Sequence, residues 1–149
     1  MLGNSGGGKT YLARSLEKLA RLCSRQEFDV QLEELGNAAR LNLGVRFYSW
    51  PEVIKRLYAG QYGILEDMKR EWFVVIDEIG GTRRGETARA REQAGFIDQN
   101  LFEVLNRRLG KWTVLTGNVT MAEIQRWDPR IAPRLVRDGN RVVVTETKD

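Results

Sequence analysis

The hydrophobic positions of the chain alternate between helical spacing and short continuous runs. Residues 9–25 carry apolar side chains three or four positions apart, which predicts a helix whose apolar face consists of Leu12, Leu16, Leu19, Ala20 and Cys23. Residues 27–42 are less periodic and predict a short helix followed by a connection. Residues 44–50 form an aromatic and β-branched run that predicts a strand.

Two further helices are marked by signals at their N-termini. Ser49 and Glu52 form a capping-box pattern with Pro51 in the first turn, so we predict a helix with Val53, Ile54 and Leu57 on its apolar face. Thr120 and Glu123 repeat the capping-box pattern and predict a second, short helix.

Three apolar runs complete the predicted sheet. Residues 72–76 lack polar alternation, as expected for a strand covered on both faces. Residues 80–92 predict an exposed arginine-rich loop that enters a helix ending near residue 108, with Ile97, Leu101, Val104 and Leu105 on its apolar side. Residues 111–116 and 141–145 predict two more strands. This order predicts an α/β fold with three layers, in which a mostly parallel sheet carries helices on both faces.

Composition narrows the functions that this fold could have. The 149 residues predict a single domain over residues 1–149. No apolar run has membrane-spanning length and no secretory signal is visible, so we expect a cytoplasmic protein with no membrane partner. The formal charge of +4 weakly favours the binding of polyanions such as nucleotides or nucleic acids. The absence of histidine and the single Cys23 exclude a His/Cys zinc site and an imidazole triad, and we expect Cys23 to be a buried structural thiol.

The N-terminal segment contains the pattern G-x-x-x-x-G-K-T. Glycines allow several backbone N–H groups to point into one concavity, Lys9 would reach the β and γ phosphates, and the Thr10 hydroxyl would bind Mg²⁺. The alternative is a flexible glycine-rich tail. The predicted nucleotide-binding residues are Gly3, Asn4, Ser5, Gly6, Gly7, Gly8, Lys9, Thr10 and Tyr11.

An acidic pair follows the buried strand at residues 72–76. Ligands of open α/β sheets bind at the carboxyl ends of the strands, so Asp77 is placed to hold the Mg²⁺ of a nucleotide. Glu78 beside it would orient and polarise an attacking water. The alternative is an exposed acidic pair that merely ends a strand.

Asn118 and a series of arginines supply the remaining candidates. Asn118 ends another predicted strand, where its amide could bind the γ-phosphate or the water, although a turn asparagine is the alternative. Arginines recur every three or four residues after this point and predict one basic helix face: Arg126, Arg130, Arg134, Arg137 and Arg141. These arginines form a solvent-exposed basic face, or else one of them reaches the nucleotide of a neighbouring subunit.

Four segments together resemble the AAA+ ATPase core of the DnaC-type replicative helicase loaders, and almost equally the IstB-type transposition ATPases. These segments are GNSGGGKTYLA, FVVIDEIG, WTVLTGN and DPRIAPRL. The resemblance implies a sheet with the strand order 5-1-4-3-2 and a site for ATP and Mg²⁺ at the C-terminal edge of that sheet. It also implies a homo-oligomer that acts on DNA together with a replicative helicase or a transposase. By the same resemblance, Lys9 and Thr10 belong to Walker A, Asp77 and Glu78 to Walker B, and Asn118 is sensor 1. Arg134 is the first candidate arginine finger and Arg130 the second.

The chain departs from this family at both ends. Only Met1 and Leu2 stand where loaders have a first strand, and no sensor 2 arginine or helical lid follows the last predicted strand. We therefore expect a fragment that lacks the N-terminal partner-binding region and most of the first strand. The alternatives are that the start of the sequence is misplaced, or that a neighbouring chain covers the exposed positions of the sheet.

Three functions are compatible with these residues. The first is an ATPase that loads or remodels a partner on DNA, with single-stranded DNA contacting the arginine-rich loop at Arg83, Arg84, Arg89 and Arg91. The second is a P-loop kinase that phosphorylates a small molecule. The acidic pair and Asn118 argue against this function, because they favour water as the acceptor of the γ-phosphate. The third is a nucleotide-binding module without turnover.

Overall fold

The computed structural model describes residues 2–3, 8–35, 44–80, 88–136 and 144–145. Within these residues five strands form one parallel sheet: β1 (Leu2–Gly3), β2 (Val45–Ser49), β3 (Phe73–Ile79), β4 (Trp112–Gly117) and β5 (Val144–Thr145). The strand order is β2-β3-β4-β1-β5, which confirms the predicted order 5-1-4-3-2 read from the other edge. The short β1 lies between β4 and β5, because Leu2 pairs with both Gly117 and Val144.

Six helices are described together with this sheet. They are α1 (Lys9–Leu35), α2 (Trp50–Tyr58), α3 (Gly63–Arg70), α4 (Ala88–Arg107), α5 (Met121–Trp127) and α6 (Ile131–Val136). The short helix and connection predicted within residues 27–42 are wrong up to Leu35, because α1 continues through that point. The sequence prediction also missed α3, although its buried residues Ile64, Leu65 and Met68 have helical spacing.

Two apolar clusters cover opposite faces of the sheet, which confirms the three-layer α/β fold. The alternation along β3 shows this division, since Val74 and Ile76 pack with α2–α6 whereas Phe73 and Val75 pack with α1. Both sets of side chains are buried, as expected for a central parallel strand covered on two sides.

The face that α1 turns toward the sheet differs from the predicted one. Ala13, Glu17 and Ala20 are buried there with the partly buried Leu16, whereas Leu12 and Leu19 are 45% and 56% exposed. Cys23 is also exposed, so the expectation of a buried structural thiol is wrong. The small alanines allow the helix backbone to approach the sheet closely, which turns the larger leucines outward.

The predicted start of α2 is right, but its capping box is not formed. Ser49 is the N-cap residue and Pro51 lies in the first turn, yet the Ser49 side chain makes no cap hydrogen bond. The second capping box is present at α5, where Thr120 and Glu123 exchange hydrogen bonds between side chain and backbone.

The continuous basic helix predicted from the arginine spacing is interrupted. Asp128 is the C-cap residue of α5, and its carboxylate accepts a hydrogen bond from the backbone N–H of Arg130 at 2.9 Å. Arg126 therefore lies on α5 and Arg134 on α6, with a turn between them. Pro129 favours this break, because its ring cannot continue a helix interior. Arg137 and Arg141 lie outside the described residues.

Candidate functional site

The site begins where the glycine-rich segment joins α1. Gly8 has a φ angle of +67°, a conformation that glycine adopts without steric cost, and its carbonyl oxygen accepts a hydrogen bond from the N–H of Leu12 at 2.9 Å. Lys9 is the first residue of α1 and is only 7% exposed. The predicted phosphate-binding residues Asn4, Ser5, Gly6 and Gly7 lie outside the described residues. Because Lys9 begins α1, its charge lies at the positive N-terminal end of the helix dipole.

Thr10 and Asp77 meet across 67 positions of sequence. The Thr10 hydroxyl lies 3.1 Å from Oδ1 and 3.0 Å from Oδ2 of Asp77 and donates a hydrogen bond to this carboxylate. Asp77 is 4% exposed and lies near the C-terminal end of β3. The structure thus brings together the two residues that the sequence assigned to a metal ion, each of which offers an oxygen atom.

Thr116 is a third member of this cluster that the sequence analysis missed. Its hydroxyl donates a hydrogen bond to Oδ1 of Asp77 and accepts one from the backbone N–H of Glu78 at 3.2 Å. Thr116 is buried near the end of β4, next to β3 in the sheet. A polar residue at the end of a strand neighbouring the acidic strand was the signal that could have revealed it.

Glu78 has a backbone conformation unusual for a residue with a side chain. Its φ angle is +64°, and the pairing of β3 with β4 shifts register between Ile76 and Ile79. Such irregularities re-aim side chains at functional sites, and here the Thr116 hydroxyl holds the Glu78 N–H in place. The Glu78 side chain is exposed at the same edge of the sheet as Asp77.

Asn118 follows the end of β4 directly. The preceding Gly117 pairs with Ile79 on one side and Leu2 on the other. A Cβ atom at Gly117 would lie 2.7 Å from the carbonyl oxygen of Ile79, so only glycine allows the strands to approach this closely. Asn118 is exposed, and its position in the sheet is between the strand that carries Asp77 and the strand that leads to the glycine-rich segment.

The two candidate arginine fingers lie against α4. Arg130 pairs with Asp128 at 2.6 Å and also donates to Gln99, while Arg134 donates to Asn106 Oδ1 at 2.9–3.0 Å. Both guanidinium groups lie over the Phe102 ring, at 4.1 Å and 4.5 Å from its centroid. Hydrogen bonds from Arg130 lower the pKa of Asp128, and Asp128 in turn raises the pKa of Arg130. These contacts do not join either arginine to the cluster around Asp77.

The remaining predicted residues are placed as follows. Tyr11 lies in the first turn of α1 and is 80% exposed, and its role toward a nucleotide stays a prediction. Arg89 and Arg91 lie at the start of α4, while Arg83 and Arg84 lie outside the described residues. Among the described helices, none combines the length and the apolar character needed to cross a membrane.

Comparison with solved structures identifies the fold. The chain is similar to the structure of AMPPCP-bound DnaA from Aquifex aeolicus, with a TM-score of 0.53 and 17% sequence identity. The fold, a parallel sheet with helices on both faces, resembles the AAA+ domain of that protein. The similarity covers 97% of this chain and 39% of the DnaA chain, so this chain spans less than half the length of that protein. No family model matches the sequence, and no curated protein matches it either.

Proposed function

We propose that this chain is a Mg²⁺-dependent ATPase that assists DNA replication as a helicase loader of the DnaC type. The hydrogen bond between the Thr10 hydroxyl and the Asp77 carboxylate carries this proposal. Two residues with no local reason to meet are joined beside a buried lysine at the N-terminus of a helix, which is the arrangement that a nucleotide triphosphate requires.

The cluster fits a magnesium ion by the chemistry of its donors. Mg²⁺ prefers oxygen ligands and is usually bound through one or two carboxylates together with substrate phosphates. Thr10 and Asp77 would hold it, and Thr116 fixes the orientation of the Asp77 carboxylate. When bound, the ion supplies positive charge against the phosphate oxygens.

Hydrolysis needs a water molecule placed in line with the γ-phosphate. Glu78 orients this water and accepts its proton while the water oxygen bonds to the γ-phosphorus and the bond to the β–γ bridging oxygen breaks, giving ADP and phosphate. Lys9 stabilises the phosphate oxygens, and Asn118 contributes an amide at the same edge of the sheet.

The proposed assembly is a homo-oligomer in which Arg134 of one subunit reaches the nucleotide of the next. Arg134 donates hydrogen bonds to Asn106 and to the Arg130 carbonyl, and its charge contributes to lowering the pKa of Asp128. Arg130 donates hydrogen bonds directly to the Asp128 carboxylate, and such charge-assisted bonds are stronger than those to neutral acceptors. We therefore retain Arg134 as the first candidate arginine finger and Arg130 as the second. The partner proposed is a replicative helicase on single-stranded DNA; an IstB-type role would replace the helicase with a transposase.

Nucleotide binding and phosphate release, measured on the same preparation, test this function. We expect the chain to bind a fluorescent ATP analogue in the presence of Mg²⁺ and to release phosphate with water as the only acceptor, faster with single-stranded DNA. A requirement for a small-molecule acceptor would replace the ATPase with a kinase. Binding with no release at any protein concentration would leave a nucleotide-binding module.

A further inference from the structure

One face of α4 contacts both candidate arginine fingers. Gln99, Phe102 and Asn106 are spaced by three and four residues, which places them on the same side of the helix. Gln99 accepts a hydrogen bond from Arg130, and Asn106 accepts two from Arg134. The Phe102 ring contacts both guanidinium groups. On this face of α4, Phe102 is therefore the residue that the two arginines share.

The Phe102 ring is anchored in the apolar core. It is partly buried and packs against the larger core cluster, the one that includes Val74 and Ile76. The central guanidinium carbons of Arg130 and Arg134 lie 4.1 Å and 4.5 Å from the ring centroid, both within cation-π distance. An anchored ring restricts where these long side chains lie, so they lose less conformational freedom when they bind another group.

An aromatic ring and a phosphate use different parts of a guanidinium group. Arginine stacks on a ring with its planar face, whereas the N–H groups at the edge of the plane bind carboxylates and phosphates. In Arg134 this edge donates hydrogen bonds to Asn106 Oδ1 and to the Arg130 carbonyl oxygen. A phosphate can replace Asn106 as acceptor while the contact with the Phe102 ring persists. The ring can therefore hold Arg134 both before and after a nucleotide binds.

We propose that Phe102 is a positioning residue for the arginine finger, because it holds Arg134 in the orientation that reaches the nucleotide of a neighbouring subunit. This inference rests on the proposed function, in which Arg134 acts on that nucleotide. The described contacts of Phe102 are with the two arginines and with the apolar core. Its effect on hydrolysis should therefore be exerted through the arginine.

Two substitutions of Phe102 separate the aromatic ring from the apolar side chain. Leucine keeps apolar packing against the core but has no ring, whereas tyrosine keeps the ring. We expect Phe102→Leu to lower the rate of phosphate release about fivefold, the size of a cation-π contact, with little change in affinity for a fluorescent ATP analogue. Phe102→Tyr should retain most of the rate. The control is Phe96→Leu, at an aromatic residue of α4 that stacks on Tyr58, and it should leave the rate unchanged.

Subunit mixing separates positioning from a general loss of structure. Phe102→Leu retains its nucleotide site, and Lys9→Ala retains both Phe102 and Arg134, so a mixture of the two should release phosphate faster than either variant alone. The double variant Lys9→Ala/Phe102→Leu should restore less activity to Arg134→Ala than Lys9→Ala does. Circular dichroism and thermal unfolding check that each variant is folded.

The nuclear magnetic resonance signal of the Arg134 Nε–H reports on the ring without any hydrolysis. The ring current shifts the signal of a proton that lies close to an aromatic face. We expect Phe102→Leu to move this signal and to speed the exchange of the proton with solvent. Phe102→Tyr should leave both properties close to those of the wild type.

Three outcomes would overturn the proposal. They are a wild-type rate in Phe102→Leu while Arg134→Ala is slow, an Arg134 signal that the loss of the ring leaves unchanged, and no recovery when Phe102→Leu is mixed with Lys9→Ala. A wild-type rate in Arg134→Ala would overturn the proposed finger and this inference with it. If the wild type releases no phosphate, the proposed function fails, whereas the Arg134 signal still decides whether Phe102 holds the arginine.

Discussion

At the scale of single residues, the candidate site depends on one threonine that joins its two acidic neighbours. The Thr116 hydroxyl donates a hydrogen bond to the Asp77 carboxylate and accepts one from the Glu78 N–H. One hydroxyl therefore fixes both the proposed metal-binding carboxylate and the backbone that aims the proposed catalytic carboxylate. The left-handed φ angle of Glu78 costs free energy, and this hydrogen bond helps to offset the cost.

Replacing Thr116 tests that link. Thr116→Val keeps the shape but removes the hydroxyl, so Asp77 and the Glu78 N–H each lose a partner. We expect nucleotide affinity to change little and the rate of ATP hydrolysis to fall about tenfold or more, the effect of losing a hydrogen bond to a charged group. Thr116→Ser should restore most of the rate. A wild-type rate in the valine variant would contradict the role given to Thr116.

At the scale of elements, the buried Arg108 connects the end of α4 to α3 and to the first residues of β3 and β4 by hydrogen bonds. Arg108 follows α4 and is 2% exposed, and its guanidinium donates to four carbonyl oxygens, those of Met68, Glu71, Trp72 and Trp112. Burial lowers its pKa to about 10, so the group remains charged at neutral pH. One side chain therefore joins α3 to the starts of β3 and β4.

The stability of the domain should depend on this arginine. Arg108→Met leaves the four carbonyl oxygens without their donor, and we expect the free energy of unfolding to fall by about 3 kcal/mol. The neighbouring Arg107→Met, at an exposed position, should change it by less than about 0.5 kcal/mol. Urea unfolding followed by circular dichroism measures both. Equal effects of the two substitutions would show that the buried hydrogen bonds contribute little.

The turn between α5 and α6 should be sensitive to acid. Hydrogen bonds from Arg130 lower the pKa of Asp128 below its ordinary value of 3.8. A carboxylate with a lowered pKa stabilises the fold at pH values above the unfolded pKa, and this contribution is lost as the pH falls through the folded pKa. The stability difference between the wild type and Asp128→Asn should thus be constant above about pH 5 and shrink below about pH 4. A difference that does not vary with pH would contradict this.

The elements differ in how far the sequence could predict them. The strands around Val74 and Val114 are continuous apolar runs, so their positions could be predicted locally. The buried face of α1 could not be predicted in this way. Ala13 and Ala20 pack against the sheet because their side chains are small, and a pattern of hydrophobic positions carries no information about side-chain size. The contact of Thr116 with Asp77 depends on which strands are neighbours, and that order came from a family resemblance rather than from the pattern.

At the scale of the whole molecule, the three-layer α/β fold assembles the candidate site from separate segments of the chain. The parallel sheet places the ends of β3 and β4 beside the N-terminus of α1, so Thr10, Asp77 and Thr116 meet at one edge. The proposed arginine finger, Arg134, lies against α4, where it donates a hydrogen bond to Asn106. Our proposal is that it acts on the nucleotide of a neighbouring subunit.

Mixing two inactive variants tests the action of Arg134 between subunits. Lys9→Ala removes the nucleotide site and Arg134→Ala removes the finger, so each alone should hydrolyse ATP slowly. In a mixed assembly, a Lys9→Ala subunit can offer its arginine to the intact nucleotide site of an Arg134→Ala subunit. Phosphate release should then exceed that of either variant alone. Absence of recovery at every ratio would count against Arg134, and the same experiment with Arg130→Ala examines the second candidate.

The central claim is that the cluster of Lys9, Thr10, Asp77 and Glu78 binds and hydrolyses ATP. Its most direct test measures, for the same variants, the affinity for a fluorescent ATP analogue and the rate of phosphate release. We predict that Lys9→Ala abolishes binding, whereas Glu78→Gln retains binding and slows hydrolysis about a hundredfold or more. Equal loss of binding in both variants, or unchanged hydrolysis in Glu78→Gln, would contradict the account.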